Sequence, residues 1–313
     1  MSEILLLVQK CAHTFSFYDL ASGQALKHLV LPNFPHEFCV DPTGQRAYVG
    51  IFGIETAWTR GDDGDHRVAE IDLVERRHTR MLDLWPYRRP HGMACDAQGR
   101  LYAMSEANDT LLVFEHPRAQ DVPHLAVPSG GIKTHLVTLT PDAGTAFGIH
   151  LLSNTVTRFH PRDAAVAPQA VTPGPRPEGN ALSRDGRRLF VANRGDDTLV
   201  EIDTGTLALG RRVKTRRDPN RIYRHDTADG RSLLLLTNSG EQSLSVFDAD
   251  TLEELRCVPL PANPTALSFH PRRALAYVSF QDDKVRELDL ASWQFGREIT
   301  TLREPDASFV LCR

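Results

Sequence analysis

The sequence predicts an all-β fold, a seven-bladed β-propeller with four-stranded blades. Three observations support this prediction: one motif recurs along the 313 residues, helical periodicity is nearly absent, and the two ends of the chain together supply one more copy of the motif. The motif begins with a proline, followed by an apolar strand, a polar turn, a strand ending near Tyr-Val, a polar loop and a third strand. Repeats of about 40 to 50 residues with several short strands are typical of propellers.

Seven anchor residues mark the starts of the repeats, and their spacing sets the number of blades. The anchors are Pro35, Pro90, Thr134, Pro177, Pro219, Pro264 and Pro305. The last repeat contains only nine residues, enough for one strand, whereas the 34 residues before the first anchor contain three strands and no repeat start. We therefore expect the N-terminal strands to complete the blade that begins at Pro305, which removes free sheet edges. This predicts a single domain over residues 1–313.

Turn-forming residues support the strand boundaries within the repeats. Tight hairpin turns favour Gly, Asn or Asp, which tolerate a positive φ. Such residues separate the first and second predicted strands in Pro42-Thr43-Gly44, Asp185-Gly186 and Asp229-Gly230.

Composition and charge argue against several classes of protein. With 36 Lys and Arg against 40 Asp and Glu, the formal net charge is -4, which disfavours a general binder of nucleic acid or acidic membranes. No apolar run approaches the ~20 residues of a membrane-spanning helix. The apolar run in the opening MSEILLLVQK is too short for the core of a signal peptide. The five cysteines include no CxxC pair, so we expect a cytoplasmic chain without a disulfide framework.

Four short segments carry a family resemblance. AYVG at 47–50, LFVAN at 189–193, LLLTN at 234–238 and AYVSF at 276–280 resemble the YVTN-type repeat of the lactonase-like seven-bladed propellers. The resemblance implies relatives of mixed function: sugar and muconate lactonases, a streptogramin lyase, electron-transfer subunits and binding proteins. A shared fold therefore leaves the function open.

The residues that directly follow the anchors are the main candidates for a functional site. The first strand of a propeller blade lines the central channel, so we expect these residues at one channel mouth. Read from the closing blade, they are Asp306, His36, His91, His135, Glu178, Asn220 and Thr265. Imidazoles and carboxylates are the usual ligands of Zn, Fe, Mn or Ni. The pattern predicts a divalent transition-metal site formed by His36, His91, His135 and Glu178. Alternatively, Pro-His recurs by descent and these imidazoles bond neighbouring blades.

Further polar residues are predicted on the same face. The acid–base candidates are Glu37, Glu106 and His150. Glu37 is also a candidate to orient a ligand histidine, and His150 is also a candidate fourth imidazole that would take the place of Glu178 at the ion. The substrate-binding candidates are Asn193, Arg194, Asn220 and Arg221, whose arginines would hold an anionic group. Asn193 also fits a loop cap, and both arginines also fit a solvated rim.

The first repeat is longer than the others, and its extra residues lie within 53–66. This insertion contains Trp58 and fits a lid, a partner-contact loop or a disordered tip rich in Asp and Gly.

These observations favour a metal-dependent enzyme, a lactonase-like hydrolase or lyase, acting on a small and anionic organic substrate. Nucleotide-binding and serine-hydrolase motifs are absent from the sequence. Two alternatives stay open. One is a metal-free lactonase-like enzyme that uses a histidine of the mouth as acid or base. The other is a non-catalytic propeller that binds a protein partner.

Overall fold

The computed structural model describes residues 3–57, 61 and 63–313. Within these residues the chain forms 28 β-strands and one short 3-10 helix, Lys10–Ala12. The strands assemble into seven sheets of four, which confirms the predicted all-β fold class. No helix in this part of the chain has the length and apolar character needed to cross a membrane.

The chain divides into two compact units. The first consists of Met1–Ala107, Phe114–His124 and Pro264–Arg313, and the second of Asn108–Val113 and Leu125–Asn263. The single domain over residues 1–313 stays a prediction.

Three sheets lie within the first unit, and hydrogen bonds join the strands of each sheet in the following order. They are β28 (Pro305–Cys312), β1 (Glu3–Gln9), β2 (Thr14–Asp19) and β3 (Ala25–Val30); β4 (Pro35–Val40), β5 (Arg46–Ile51), β6 (Arg67–Asp72) and β7 (Arg77–Asp83); and β24 (Pro264–Phe269), β25 (Leu275–Phe280), β26 (Lys284–Asp289) and β27 (Phe295–Thr300).

Three more sheets lie within the second unit. They are β12 (Thr134–Leu139), β13 (Ala146–His150), β14 (Thr155–Phe159) and β15 (Gln169–Val171); β16 (Pro177–Leu182), β17 (Arg188–Asn193), β18 (Thr198–Asp203) and β19 (Leu209–Lys214); and β20 (Pro219–Asp226), β21 (Ser232–Asn238), β22 (Ser243–Asp248) and β23 (Glu254–Pro259). The remaining sheet has the order β11 (Leu125–Pro128), β10 (Thr110–Phe114), β9 (Leu101–Ser105) and β8 (Pro90–Cys95).

The first strand of each sheet begins at one of the seven anchors, and the chain ends share a sheet. β28 pairs antiparallel with β1, so that Leu5 lies opposite Val310 and Leu6 opposite Phe309. This confirms the prediction that the N-terminal strands complete the blade begun by the C-terminal strand.

The sheet formed by β28, β1, β2 and β3, called the closing sheet, packs on both faces because the side chains of β1 alternate between them. Successive side chains of a strand point to opposite faces. Leu6 joins a buried cluster with Val49 of β5, whereas Leu5 joins a cluster with Tyr277 of β25. Because the middle strands are covered on both faces, they are nearly continuous in apolar residues, as in β1 and β5. The outermost strand β3 is mostly exposed.

Candidate functional site

The residue before an anchor has an unusual backbone conformation. At six of the seven positions φ lies between 51° and 61°, in the left-handed region that non-glycine residues rarely adopt. These residues are Phe34, Arg89, Lys133, Arg176, Asp218 and Glu304.

The carbonyl groups of these residues position the loop after the second strand of their sheet. The carbonyl oxygen of Phe34 accepts the N–H of Phe52 at 3.0 Å, and that of Arg89 accepts the N–H of Glu106 at 3.0 Å. In the second unit the Arg176 carbonyl accepts the N–H of Arg194 at 2.9 Å. Phe52, Glu106 and Arg194 therefore occupy one equivalent position, each held beside the start of its repeat.

A β-bulge follows the anchor in the first strand. Between β4 and β5, Pro35 lies opposite Ile51 and Phe38 opposite Val49, so β4 has one extra residue. The same irregularity follows the anchors of β8, β12, β16, β20 and β24. A bulge re-aims side chains that regular pleating would hold on opposite faces. The post-anchor residues all lie in these bulged segments.

In the first unit, the post-anchor residues of four strands contact one another or a neighbouring anchor. His36 Nδ1 lies 2.8 Å from Oδ2 of Asp306, and the side chains are 12% and 7% exposed. The rings of His36 and His91 lie 4.4 Å apart between centroids, and His91 is fully buried. Thr265 donates a hydrogen bond to the carbonyl of Pro305 at 2.6 Å. Closure of the first sheet by β28 is what makes Asp306 a neighbour of His36.

His36, Glu37 and His91 have the geometry of a candidate metal site. One ligand atom from each of the three side chains lies within 4.8 Å of the others. Phe52 packs edge-on against both imidazoles, 5.6 Å from the His36 ring and 5.5 Å from the His91 ring. The spacing suits an ion at ~2.0–2.2 Å from each ligand after small side-chain movements. Glu37, predicted as an acid–base or orienting group, is thus also placed as a possible ligand.

Arg89 and Glu106 form a buried charged group in the same unit. Arg89 Nη1 lies 3.8 Å from Oε1 of Glu106, and these side chains are only 2% and 1% exposed. Arg89 also donates from Nε to the carbonyl of Asp63 at 3.1 Å and binds the Asp63 carboxylate. A Cβ on Gly64 would lie 2.7 Å from Arg89 Cγ, so only glycine fits where the loop crosses this side chain. The acid–base role of Glu106 stays a prediction.

In the second unit, His135, Glu178 and Arg194 form a continuous charged network. His135 Nε2 lies 3.7 Å from Oε1 of Glu178, whose Oε2 accepts a hydrogen bond from Arg194 Nη1 at 2.8 Å. Arg194 also pairs in a bidentate manner with Asp218, at 2.6 and 2.7 Å. Burial alone raises the pKa of Glu178, but the charges of His135, Arg194 and Arg221 outweigh it and hold that pKa below its ordinary value. Of the four predicted ligands, His36 and His91 belong to the first unit, and His135 and Glu178 belong to the second.

Asn220 and Arg221 lie on the next strand of this unit. A Cβ on Gly179 would lie 2.3 Å from the carbonyl oxygen of Asn220, so glycine after Glu178 permits the close approach of β20. Asn220 Oδ1 is buried, and the described residues provide it with no hydrogen-bond donor. Its amide Nδ2 lies 3.4 Å from the Ser239 hydroxyl. Asn220 therefore keeps an acceptor that a ligand would satisfy, while the role of Arg221 stays a prediction.

His150 and Asn193 occupy equivalent buried positions inside their sheets. Both ring nitrogens of His150 are engaged, Nδ1 with the Thr134 hydroxyl and Nε2 with the Thr157 hydroxyl, each at 2.8 Å. Burial lowers the pKa of His150 to about 4. Asn193 donates to Thr198 Oγ1 at 3.0 Å. The contacts of Asn193 fit its interpretation as a loop cap. His150 is buried with both ring nitrogens occupied, whereas an acid–base catalyst needs access to its substrate.

The insertion at 53–66 is described only in part. Trp58 lies outside the described residues, so the lid or partner-contact role stays a prediction. The described ends are fixed by the Asp65 N–H, which donates to the Phe52 carbonyl at 3.1 Å, and by Arg67, which donates to the Asp65 carboxylate at 2.9 Å.

Two residues of the first unit were not predicted from the sequence. Phe52 stands at the same repeat position as Glu106 and Arg194, and this correspondence in the sequence could have identified it as a site residue. Arg89 directly precedes an anchor, but nothing in the sequence shows that its guanidinium is buried. Both side chains contact predicted site residues, so they belong to the candidate site.

Comparisons with known proteins agree with the fold. No protein-family model matches the sequence. Seven-bladed beta-propeller protein Rv1057 of Mycobacterium tuberculosis is 30% identical over 101 residues, which are 32% of this chain and 26% of that protein. The match thus spans about a quarter of the curated relative's length. This similarity and the seven four-stranded sheets together identify the fold as a seven-bladed β-propeller.

Solved structures of the same fold cover nearly the whole chain. Periplasmic gluconolactonase PpgL of Pseudomonas aeruginosa has a TM-score of 0.75 at 17% identity and covers 99% of both chains. A functionally unknown protein from Desulfotomaculum acetoxidans has a TM-score of 0.78 at 14% identity, covering 98% of both. Dihydro-heme d1 dehydrogenase NirN in complex with DHE has a TM-score of 0.71 at 13% identity, covering 97% of this chain and 74% of the other. At these identities the likeness shows the fold alone.

Proposed function

We propose that this chain is a lactonase-like, metal-dependent enzyme whose ion is bound by His36, Glu37 and His91 in the first unit. The observation that carries the proposal is the clustering of three ligand atoms within 4.8 Å, on two strands whose bulges bring them together. Two imidazoles and a carboxylate leave a coordination position open for substrate, the arrangement of many catalytic zinc sites. The segments similar to YVTN repeats and the gluconolactonase fold neighbour support this choice of chemistry.

Asp306 would act as the positioning residue of this site. The Asp306 carboxylate lies 2.8 Å from Nδ1 of His36 as an ion-pair contact outside hydrogen-bond geometry. Its charge would favour the tautomer with the proton on Nδ1, which leaves the lone pair of Nε2 for the ion. Phe52 holds both imidazoles edge-on and limits their rotation. When bound, a divalent ion would polarise a lactone carbonyl and favour the attack of water. The anionic character of the substrate stays a proposal.

A second candidate function uses the same residues without an ion. The 2.8 Å contact between Asp306 and His36 is a carboxylate–imidazole pair, which can serve as a general base toward water. In this mechanism the carboxylate holds the tautomer and stabilises the imidazolium that forms. The substrate class would be the same, a small lactone.

A hydrolysis assay separates the two mechanisms. Gluconolactone opening would be followed by pH-stat, using protein purified without a His-tag, with and without a chelator. We expect wild-type activity to disappear in chelator and to return with Zn²⁺ or Mn²⁺. His91→Gln should lower kcat/KM by about 10²-fold or more, whereas the exposed His116→Gln is the matched control and should retain full activity.

Each outcome of this assay decides between the candidates. Activity that persists in chelator but is lost in His36→Gln would overturn the metal-dependent mechanism and support the Asp306–His36 base. No lactone opening under any metal condition would overturn both. The cytoplasmic location predicted from the cysteine content stays a prediction.

A further inference from the structure

The two strands that carry His36 and His91 also carry a pair of cysteines. Cys39 lies near the end of β4 and Cys95 at the end of β8. Their Sγ atoms are only 2.8 Å apart, although both residues are free thiols and are separated by 56 positions in the sequence. The pair belongs to the first unit and uses no residue of the candidate metal site.

The surrounding strands hold the two thiols toward each other. Cys39 lies opposite Tyr48 of β5, and Cys95 opposite Leu101 of β9. Tyr48 and Leu101 are 1% and 0% exposed, so each cysteine pairs with a fully buried position of the second strand. A disulfide bond is about 2.05 Å long, so the two sulfurs need to approach by only about 0.8 Å.

The half-buried position of the thiols leaves them within reach of a small oxidant. Both cysteines are partly exposed. The three other cysteines, Cys11, Cys257 and Cys312, have no such partner: the Cys11 thiol donates to Glu304, and the Cys312 sulfur lies 3.9 Å from His270 Nε2. Among the five thiols of the chain, proximity selects one pair.

We propose that Cys39 and Cys95 are a redox-modification site that forms a reversible intramolecular disulfide with a small-molecule disulfide as the oxidant. The disulfide would join β4 to β8 and thereby fix the spacing of the two strands that present His36 and His91. The proposal does not depend on the metal or on the proposed lactone hydrolysis.

The chemistry is a pair of thiol–disulfide exchanges. The thiolate of one cysteine of the pair attacks one sulfur of oxidised glutathione and expels one glutathione thiolate, which leaves a mixed disulfide. The other cysteine of the pair then loses its proton to solvent, attacks the Sγ of the first cysteine and expels the second glutathione. The two protein thiols lose two electrons in total, and one glutathione disulfide becomes two glutathione molecules.

Thiol mapping by mass spectrometry tests the proposal. Folded full-length protein is incubated with oxidised glutathione, denatured, alkylated and digested without reductant. We expect a peptide pair linked through Cys39 and Cys95, with the other three cysteines alkylated, and its complete loss after dithiothreitol. Cys257→Ser, which removes an unrelated thiol, should form the same link.

Two results would overturn the inference. One is alkylation of all five thiols after oxidation. The other is a stable glutathione adduct on Cys39 or Cys95 in the wild-type protein, since the neighbouring thiol 2.8 Å away should displace the glutathione. In Cys95→Ser the link must disappear, and a linked pair that involves Cys39 and another cysteine would equally contradict the proposal. Because the wild-type measurement decides the matter by itself, the test holds even if a variant folds poorly.

Discussion

Replacing His150 with asparagine is expected to remove a pH-dependent loss of stability. His150 is fully buried, both its ring nitrogens contact threonine hydroxyls, and burial lowers its pKa to about 4. In the unfolded chain a histidine has a pKa of about 6.5. Between these values the unfolded state binds more protons, so stability falls as the pH drops from about 6.5 to 4 and is fully present above that window.

The magnitude follows from the shift. A depression of roughly 2.5 pKa units corresponds to about 3 kcal/mol below pH 4, of which about 2 kcal/mol is lost between pH 7 and pH 5. Asparagine is the matched replacement because Asn193 fills the equivalent position in its own sheet. Gly131 lies against His150 in the same way as Gly174 lies against Asn193. The variant lacks the titrating group, so between pH 7 and pH 5 it should lose about 2 kcal/mol less free energy of unfolding than the wild type.

Urea unfolding at pH 7 and pH 5 measures the difference. All other titrating groups are shared, so the comparison between wild type and His150→Asn isolates this one. If both proteins lose the same free energy of unfolding over this interval, the assignment of His150 as a neutral buried group is wrong.

Three further changes test packing and charge, each followed by urea unfolding at pH 7. Leu7→Ala should cost about 2–5 kcal/mol, because Leu7 is fully buried in the closing sheet. Glu178→Gln should cost about 3–5 kcal/mol, since it leaves the Arg194 guanidinium partly unpaired in a buried network. Gly64→Ala should cost at least ~1 kcal/mol, because φ is 96° and the new Cβ would meet Arg89.

Each change has a control in an exposed or open position. Leu26→Ala and Glu253→Gln alter exposed side chains and should change stability by less than about 0.5 kcal/mol. Gly230→Ala has a similar φ of 89° but open space around the Cβ, so it isolates the backbone strain from the clash at Gly64. Equal costs for a test variant and its control would refute the corresponding packing argument.

The blade structure was predictable from sequence because its signals are local and repeated. Turn residues, apolar strands and prolines recur at a steady spacing, and the incomplete repeats at the two ends account for each other. The resulting pairing of β28 with β1 followed from counting residues before Pro35 and after Pro305. The contact of Asp306 with His36 requires that closure.

The details of the site depend on interactions that a single sequence does not reveal. The bulges after the anchors alter which way His36 and Glu37 point, and no residue type marks them. His150 looked like an additional imidazole for chemistry, but two threonines from other strands saturate its nitrogens. The approach of Cys39 to Cys95 arises from the packing of β4 against β8, and their spacing in sequence gives no hint of it.

Measuring the metal content of the protein tests the proposed metal site at His36, Glu37 and His91 most directly. Protein purified without a His-tag, reconstituted with Zn²⁺, Mn²⁺, Fe²⁺ or Ni²⁺ and then desalted, would be analysed for metal alongside a His36→Gln, His91→Gln double variant and the His116→Gln control. We expect about one ion per chain in the wild type and the control, and none in a double variant whose circular dichroism is unchanged. Wild-type protein that stays empty after reconstitution, or a double variant that still binds one ion, would contradict a metal site at His36, Glu37 and His91.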